Sequence, residues 1–138
     1  MKLRRADPGE AAWINERYAS VEFLPSDLSR EIVVVAEIDG DRAGIARLVP
    51  VDERSCELGG MLVFEDFRGR GVARALIDEL LRHAEGREVY CIPFADLESL
   101  YAAAGFERAD DAPQPVREKL EWCQRTYDRA AILMKRTR

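Results

Sequence analysis

Residues 67–77 read FRGRGVARALI. Two glycines alternate with two arginines, and apolar residues at helical spacing follow at once. Ala73, Leu76, Ile77, Leu80, Leu81 and Ala84 keep that spacing, while Arg74, Asp78, Glu79 and Arg82 fill the other face, as in an amphipathic helix. Upstream, SCELGGMLVF (55–64) reads as a strand. Downstream, Gly86 stops the helix and REVYCI (87–92) reads as a second, buried strand. Together these elements predict a central β-α-β unit, roughly residues 56–92, inside a mixed sheet. The first amides of a helix lack intrahelical partners and point outward. The helix dipole adds about half a positive charge there, and glycines let a ligand approach the backbone. The loop is therefore a candidate anion site, each amide-to-phosphate bond being worth roughly 1.5–3 kcal/mol. A Walker loop requires a lysine that this stretch lacks. A dinucleotide fingerprint requires a small residue where Arg74 stands, and an acid where Cys91 and Ile92 stand. Both nucleotide readings fail, leaving another diphosphate or a plain tight turn.

Outward from this unit the remaining chain alternates strands and helices. LRRADPGE opens with a short strand. Asp7, Pro8 and Glu10 then have the spacing of a capping box at a helix start, and that helix should run to about Tyr18. Two apolar runs in EIVVVAEIDGDRAGIARLVPV (31–51) flank Asp39-Gly40-Asp41, a hairpin signal. Gly59 and Gly60 lie inside a strand, where glycines mark a bulge or a close backbone approach. After Pro93, DLESLYAAAG is a short helix stopped by Gly105. FERA is a brief strand, Pro115 opens another helix with Val116, Leu120 and Cys123 on one face, and AAILMK (130–135) closes as a strand. The predicted class is α/β (α+β), with a mixed, mostly antiparallel sheet and flanking helices, in a single domain over residues 1–138.

Composition narrows the function. The chain has 138 residues and a net charge of −5, a balance that disfavours a nucleic-acid surface and favours a neutral or cationic substrate. Arg4, Arg5, Arg68, Arg70 and Arg74 could still form a local basic patch. Cys56, Cys91 and Cys123 are odd in number and widely spaced, which predicts reduced thiols in a cytoplasmic protein. The opening residues turn polar at once, unlike a signal peptide, and no apolar run reaches membrane-spanning length. His83 is the single histidine, so neither a metal site nor a Ser-His-Asp triad is expected. A homodimer is compatible with the sequence. Trp13 and the methionines read as core.

LGGMLVFEDFRGRGVARALIDELL (58–81) resembles the acetyl-CoA-binding core of the GNAT superfamily of N-acetyltransferases. Arg68-Gly69-Arg70-Gly71-Val72-Ala73 matches that family's Gln/Arg-x-x-Gly-x-Gly/Ala motif position by position. LYAAAGF (100–106) resembles its later Tyr-x-x-x-Gly-Phe element, and the order of elements agrees along the chain. One departure is Phe94, which stands where the family often has an asparagine that contacts the coenzyme. The resemblance implies that amides from Arg70 through Gly71, Val72 and Ala73 to Arg74 hold the pyrophosphate of coenzyme A. Arg68 and Gly69 would support the loop, and the backbone of Leu62 and Val63 would pair with the pantetheine arm like an added strand. Gly59 and Gly60 would then lie where the strand splays to admit the thioester, while Glu65 and Asp66 shape the bend.

The same resemblance implies the chemistry. A lysine-like amine, with pKa about 10.4, is neutral in only about one part in a thousand near pH 7, so a general base assists attack. Glu57 is the candidate base; it reads equally as a solvent-facing strand residue or an ion-pair partner. Tyr101 matches the family tyrosine that protonates the leaving thiolate, or fills space in its helix. A backbone amide near Leu62 would receive the growing charge on the carbonyl oxygen. VEFLPSD (21–27) and APQPVREKLEWC (112–123) would flank the acceptor cleft, with Phe23, Trp122, Arg117 and Glu121 as candidate lining. The implied function is transfer of acetyl from acetyl-CoA, a co-substrate, to a primary amine of a small metabolite or amino acid. The alternatives are a catalytically silent acetyl-CoA-binding regulatory module and an acetylase of protein or aminoacyl-tRNA amines.

Overall fold

A computed structural model of the chain describes residues 1–137. Its strands are β1 (Lys2–Arg5), β2 (Ile32–Ile38), β3 (Asp41–Pro50), β4 (Ser55–Val63), β5 (Glu88–Cys91), β6 (Glu107–Arg108) and β7 (Met134–Arg136). They form one seven-stranded sheet in the order β1-β2-β3-β4-β5-β7-β6. Every neighbouring pair is antiparallel except β4–β5. The helices are α1 (Ala11–Ala19), α2 (Val72–Arg82), α3 (Glu98–Ala103) and α4 (Gln114–Thr126). The expected β-α-β unit is β4-α2-β5, since parallel neighbours require a crossover connection. Asp39 and Gly40, with φ of 52° and 83°, make the β2–β3 turn, in which both central residues need positive φ. Among the described residues no helix is long and apolar enough to cross a membrane.

Side-chain alternation divides the core between the two faces of the sheet. On one face Val34, Ala46, Leu48, Cys56, Leu58, Val89 and Cys91 pack with Leu76, Ile77 and Leu80 of α2 and Tyr101 of α3. On the other, Val33, Val35 and Ile45 pack with Ile14 and Tyr18 of α1, and Tyr90 packs with Val116 of α4. Leu58 and Met61 both contact the α2 side, although their spacing would place them on opposite faces of a regular strand. A bulge reconciles this: Arg47 pairs with Gly59, but Ile45 pairs with Leu62. The bulge expected at Gly59-Gly60 is therefore present, and it inverts the alternation of β4 beyond it.

Three expectations are corrected. The last strand begins at Met134, not Ala130. Residues 130–132 instead bond to Pro93 and Ala95, through Ala95 N–H to the Ala130 carbonyl (2.8 Å) and Ile132 N–H to the Pro93 carbonyl (2.9 Å). Pro93 has no N–H to donate, so the regular ladder cannot continue past β5. The basic patch is reduced, since two of its five arginines are held by carboxylates. Arg4 lies on the edge strand, where its guanidinium meets Glu10 at 2.7 Å and Glu37 at 2.8 Å, while Arg74 pairs with Asp78 at 3.0 Å. Met134 is buried, but Met1 is exposed, because no element covers the start of β1.

Candidate active site

Parallel pairing of β4 with β5 runs from Ser55–Glu88 to Leu58–Cys91 and stops. Beyond Leu58, β4 continues to Val63 with only β3 beside it, so its outer edge presents unpaired backbone groups. The wedge between the diverging strands opens at the bulge. Gly60 has φ of 59°, and a Cβ there would lie 2.6 Å from the Tyr18 hydroxyl and 2.9 Å from Arg47 Nε. Only glycine satisfies both the backbone and the space. The Tyr18 hydroxyl donates to the Gly60 carbonyl at 2.8 Å, which fixes the bulge to α1.

At the end of β4 a 3-10 turn at Glu65–Phe67 bends the chain, as the acidic pair led one to expect. Gly69 and Gly71 both have φ of 78°, and no atom lies within 4 Å of where a Cβ would stand on either. Gly71 is the N-cap of α2, and the first backbone bond of the helix runs from Ala75 N–H to the Gly71 carbonyl. The amides of Val72, Ala73 and Arg74 precede it and have no intrahelical acceptor. Leu62, Val63, Arg68, Gly69, Gly71, Val72, Ala73 and Arg74 all line one groove. Arg70 does not; its guanidinium lies over the Phe67 ring at 5.5 Å. Arg68 Nε reaches back to the Val63 carbonyl at 3.4 Å. An open, glycine-bare cradle of free amides beside an unpaired strand edge fits a diphosphate with an extended amide-bearing arm.

A second cleft adjoins the groove through the shared wall of Phe23, Met61, Phe94, Leu97 and Tyr127. Glu57 and Tyr101 both line it. Glu57 is 5% exposed, so it is not a solvent-facing strand residue. Its Oε2 accepts from Lys119 Nζ of α4 at 2.7 Å. Tyr101 is 3% exposed and stands edge-on to Phe106, with ring centroids 5.8 Å apart. Burial raises its phenol well above the ordinary range, and the neighbouring Cys91 and Glu57 raise it further. The phenol is therefore protonated throughout the physiological range.

Of the four candidate lining residues, Phe23 and Trp122 line the second cleft. Arg117 instead pairs with Asp111 at 3.4 Å on the surface, and Glu121 is exposed. Phe94 is held between Arg129, whose guanidinium lies 3.9 Å over the ring, and Tyr127, 5.4 Å away edge-on. It closes the junction of the two clefts by packing, in place of a polar contact. Sequence reasoning missed Lys119, Arg47 and Tyr127. Lys119 falls on the same helical face as Val116, Leu120 and Cys123, and Arg47 interrupts an apolar strand much as Glu57 does; both signals were present. Cys56, Cys91 and Cys123 are free and buried.

Comparison with known proteins agrees with this geometry. Residues 3–108 match the model of the acetyltransferase (GNAT) family. Among solved structures the chain is similar to Rv2747 from Mycobacterium tuberculosis in complex with CoA, at TM-score 0.78 and 18% identity, covering 100% of this chain and 99% of that one. It is also similar to a GNAT family acetyltransferase from Elizabethkingia anophelis with acetyl-CoA bound, at TM-score 0.71 and 14% identity, covering 99% and 97%. N-acetylglutamate synthase from Neisseria gonorrhoeae, complexed with CoA and L-arginine, aligns at TM-score 0.74 and 17% identity, over 99% of this chain but 32% of the longer protein. No curated protein matches the chain in sequence. With the family model spanning most of the residues that build the sheet, the groove and α3, the chain belongs to the GNAT family of acetyltransferases.

Proposed function

We propose that this protein transfers the acetyl group of acetyl-CoA to a primary amine of a small molecule. The observation that carries the reading is the joining of two clefts at the β4–β5 wedge. One offers free amides and an unpaired strand edge; the other offers a buried carboxylate and a protonated phenol. Acetyl-CoA enters as a substrate along the first. The amides of Gly71 through Arg74 receive its pyrophosphate, and the β4 edge at Leu62 and Val63 receives its pantetheine amides. The second cleft takes the amine.

Glu57 then draws a proton from the amine, directly or through water. In the free protein Lys119 holds this carboxylate, so an arriving ammonium competes with Lys119 Nζ for Oε2. The neutral amine attacks the thioester carbonyl, forming the C–N bond. A backbone amide near Leu62 stabilises the carbonyl oxygen as it gains charge. The C–S bond breaks, Tyr101 gives its proton to the leaving sulfur, and the surplus proton on the new C–N nitrogen leaves through water and restores the phenol. The apolar walls that Phe23 and Trp122 give the cleft favour a small acceptor over a protein or tRNA substrate.

The test is release of free coenzyme A from acetyl-CoA in the presence of a panel of amines. Turnover on at least one small amine is expected; binding without turnover on any of them would favour a silent regulatory module. Gly71→Glu places a side chain and a negative charge in the amide cradle at a position with positive φ. It is expected to abolish acetyl-CoA binding while the domain keeps its circular dichroism spectrum. Unchanged affinity in that variant would sink the assignment of the groove.

A further inference from the structure

Arg47 carries a charge that the fold does not neutralise. It is 3% exposed, on β3 opposite Gly59, and the missing side chain of Gly60 leaves it room. Its Nη1 donates to the Leu24 carbonyl at 2.8 Å and to Ser26 Oγ at 2.7 Å, and its plane lies 4.6 Å from the Tyr18 ring centre. These contacts hold one edge of the guanidinium and stack its face, but all the partners are neutral. Nε is buried with no hydrogen-bond partner. No carboxylate approaches within ion-pair distance among the described residues. Glu31, whose Oε1 is the other unpartnered buried atom, lines a recess that Arg47 also lines, without pairing with it.

A buried, uncompensated guanidinium is costly, and its free Nε–Nη2 edge has the fork geometry that receives two oxygens of one carboxylate. Arg47 lines the same cleft as Glu57 and Tyr101. Because Arg47 pairs with Gly59 and Val49 with Glu57, Arg47 and Glu57 are diagonal neighbours on one sheet face, roughly 7–8 Å apart at the backbone. One small molecule can bridge the two. Lys119 already neutralises Glu57, so an incoming carboxylate meets no net negative charge there.

We infer that the acceptor is an amino acid, whose carboxylate docks on the free edge of Arg47 while its amine faces Glu57. This rests on the proposed transferase reading and narrows it, setting amino acids apart from polyamines and simple amines.

The experiment compares, with acetyl-CoA saturating, the standard L-amino acids, the carboxamide and decarboxylated amine of each responder, and a set of polyamines. For at least one amino acid KM is expected to lie about tenfold or more below that of its amide and amine counterparts, the worth of one charge-assisted fork. Arg47→Lys should raise KM for the acid by about tenfold and narrow the gap between acid and amide, since a point charge cannot replace the fork. Should that variant fail to fold, Ser26→Ala loosens Nη1 and should shift the acid-to-amide ratio in the same direction. The wild-type ratio is decisive without either variant. Turnover of polyamines or amides as readily as acids overturns the inference and leaves the transferase reading intact. If coenzyme binds but nothing turns over, the transferase reading fails instead. The carboxylate subsite is then judged by thermal stabilisation of the coenzyme A complex, and equal stabilisation by acids and their amides overturns it.

Discussion

Tyr101 keeps its proton because burial removes the water that would solvate a phenolate, and Cys91 and Glu57 oppose ionisation further. A group in that state is a donor at any working pH, placed to give a proton to the sulfur as the C–S bond breaks. Its hydroxyl has no hydrogen-bond partner among the described residues, so Tyr101→Phe removes a proton source without breaking a structural bond. That variant is expected to lower kcat about 10–100-fold with KM nearly unchanged. Glu57→Gln should lower kcat by a similar factor through loss of the base. Steady-state kinetics on the best acceptor decides both, and equal turnover numbers in wild type and variant would remove the residue from the reaction. Tyr101 and Glu57 were legible as candidates in the sequence because each stands in a recognisable frame. The partner of Glu57 was not, because Lys119 lies 62 residues away and nothing in local spacing links a strand position to a later helix.

At the scale of elements, the bulge in β4 and the loop before α2 use glycine for different reasons, and substitution separates them. At Gly60 a methyl group would collide with Tyr18 and Arg47 on a backbone at φ of 59°. Gly60→Ala is expected to cost about 3 kcal/mol, from left-handed strain plus overpacking. Gly69 has φ of 78° with open space around it, so Gly69→Ala should cost only about 1–2 kcal/mol. Urea denaturation compares the two, and equal losses would show that packing at the bulge contributes nothing. Such elements were readable from sequence because their signals are local: Asp39-Gly40 for the hairpin, paired glycines for the bulge, helical spacing after Gly71. The end of the chain was misread because AAILMK has the composition of a long strand. What shortens it is Pro93, a residue on a different segment.

Across the whole molecule, the sheet is held at one edge by Glu10, whose carboxylate meets Arg4 at 2.7 Å and Arg42 at 3.2 Å and accepts from the Asp7 amide at 2.9 Å. Its hydrogen bond with Arg4, together with the Asp7 amide and the charges of both arginines, outweighs burial and lowers its pKa from 4.5 to about 2. The folded state thus releases this proton more readily than the unfolded chain. The stabilisation is complete above the unfolded value and is lost as pH falls from about 5 toward 2. Glu10→Gln is expected to cost about 2–3 kcal/mol at pH 7 and little at pH 2. Thermal melts of both proteins across that range would show the gap closing, and a constant gap would mean that the cost is steric. The strand order beyond β5 was not readable in advance, since it depends on which distant segments meet. That order carries a consequence for motion. β5, β7 and β6 join the rest of the sheet only through the short parallel seam from Ser55–Glu88 to Leu58–Cys91. The seam is the natural line of sub-global opening. A ligand laid along the free edge of β4 would act as a splint across it, slowing amide exchange in β5 and β7 and shielding the Cys91 thiol from alkylation.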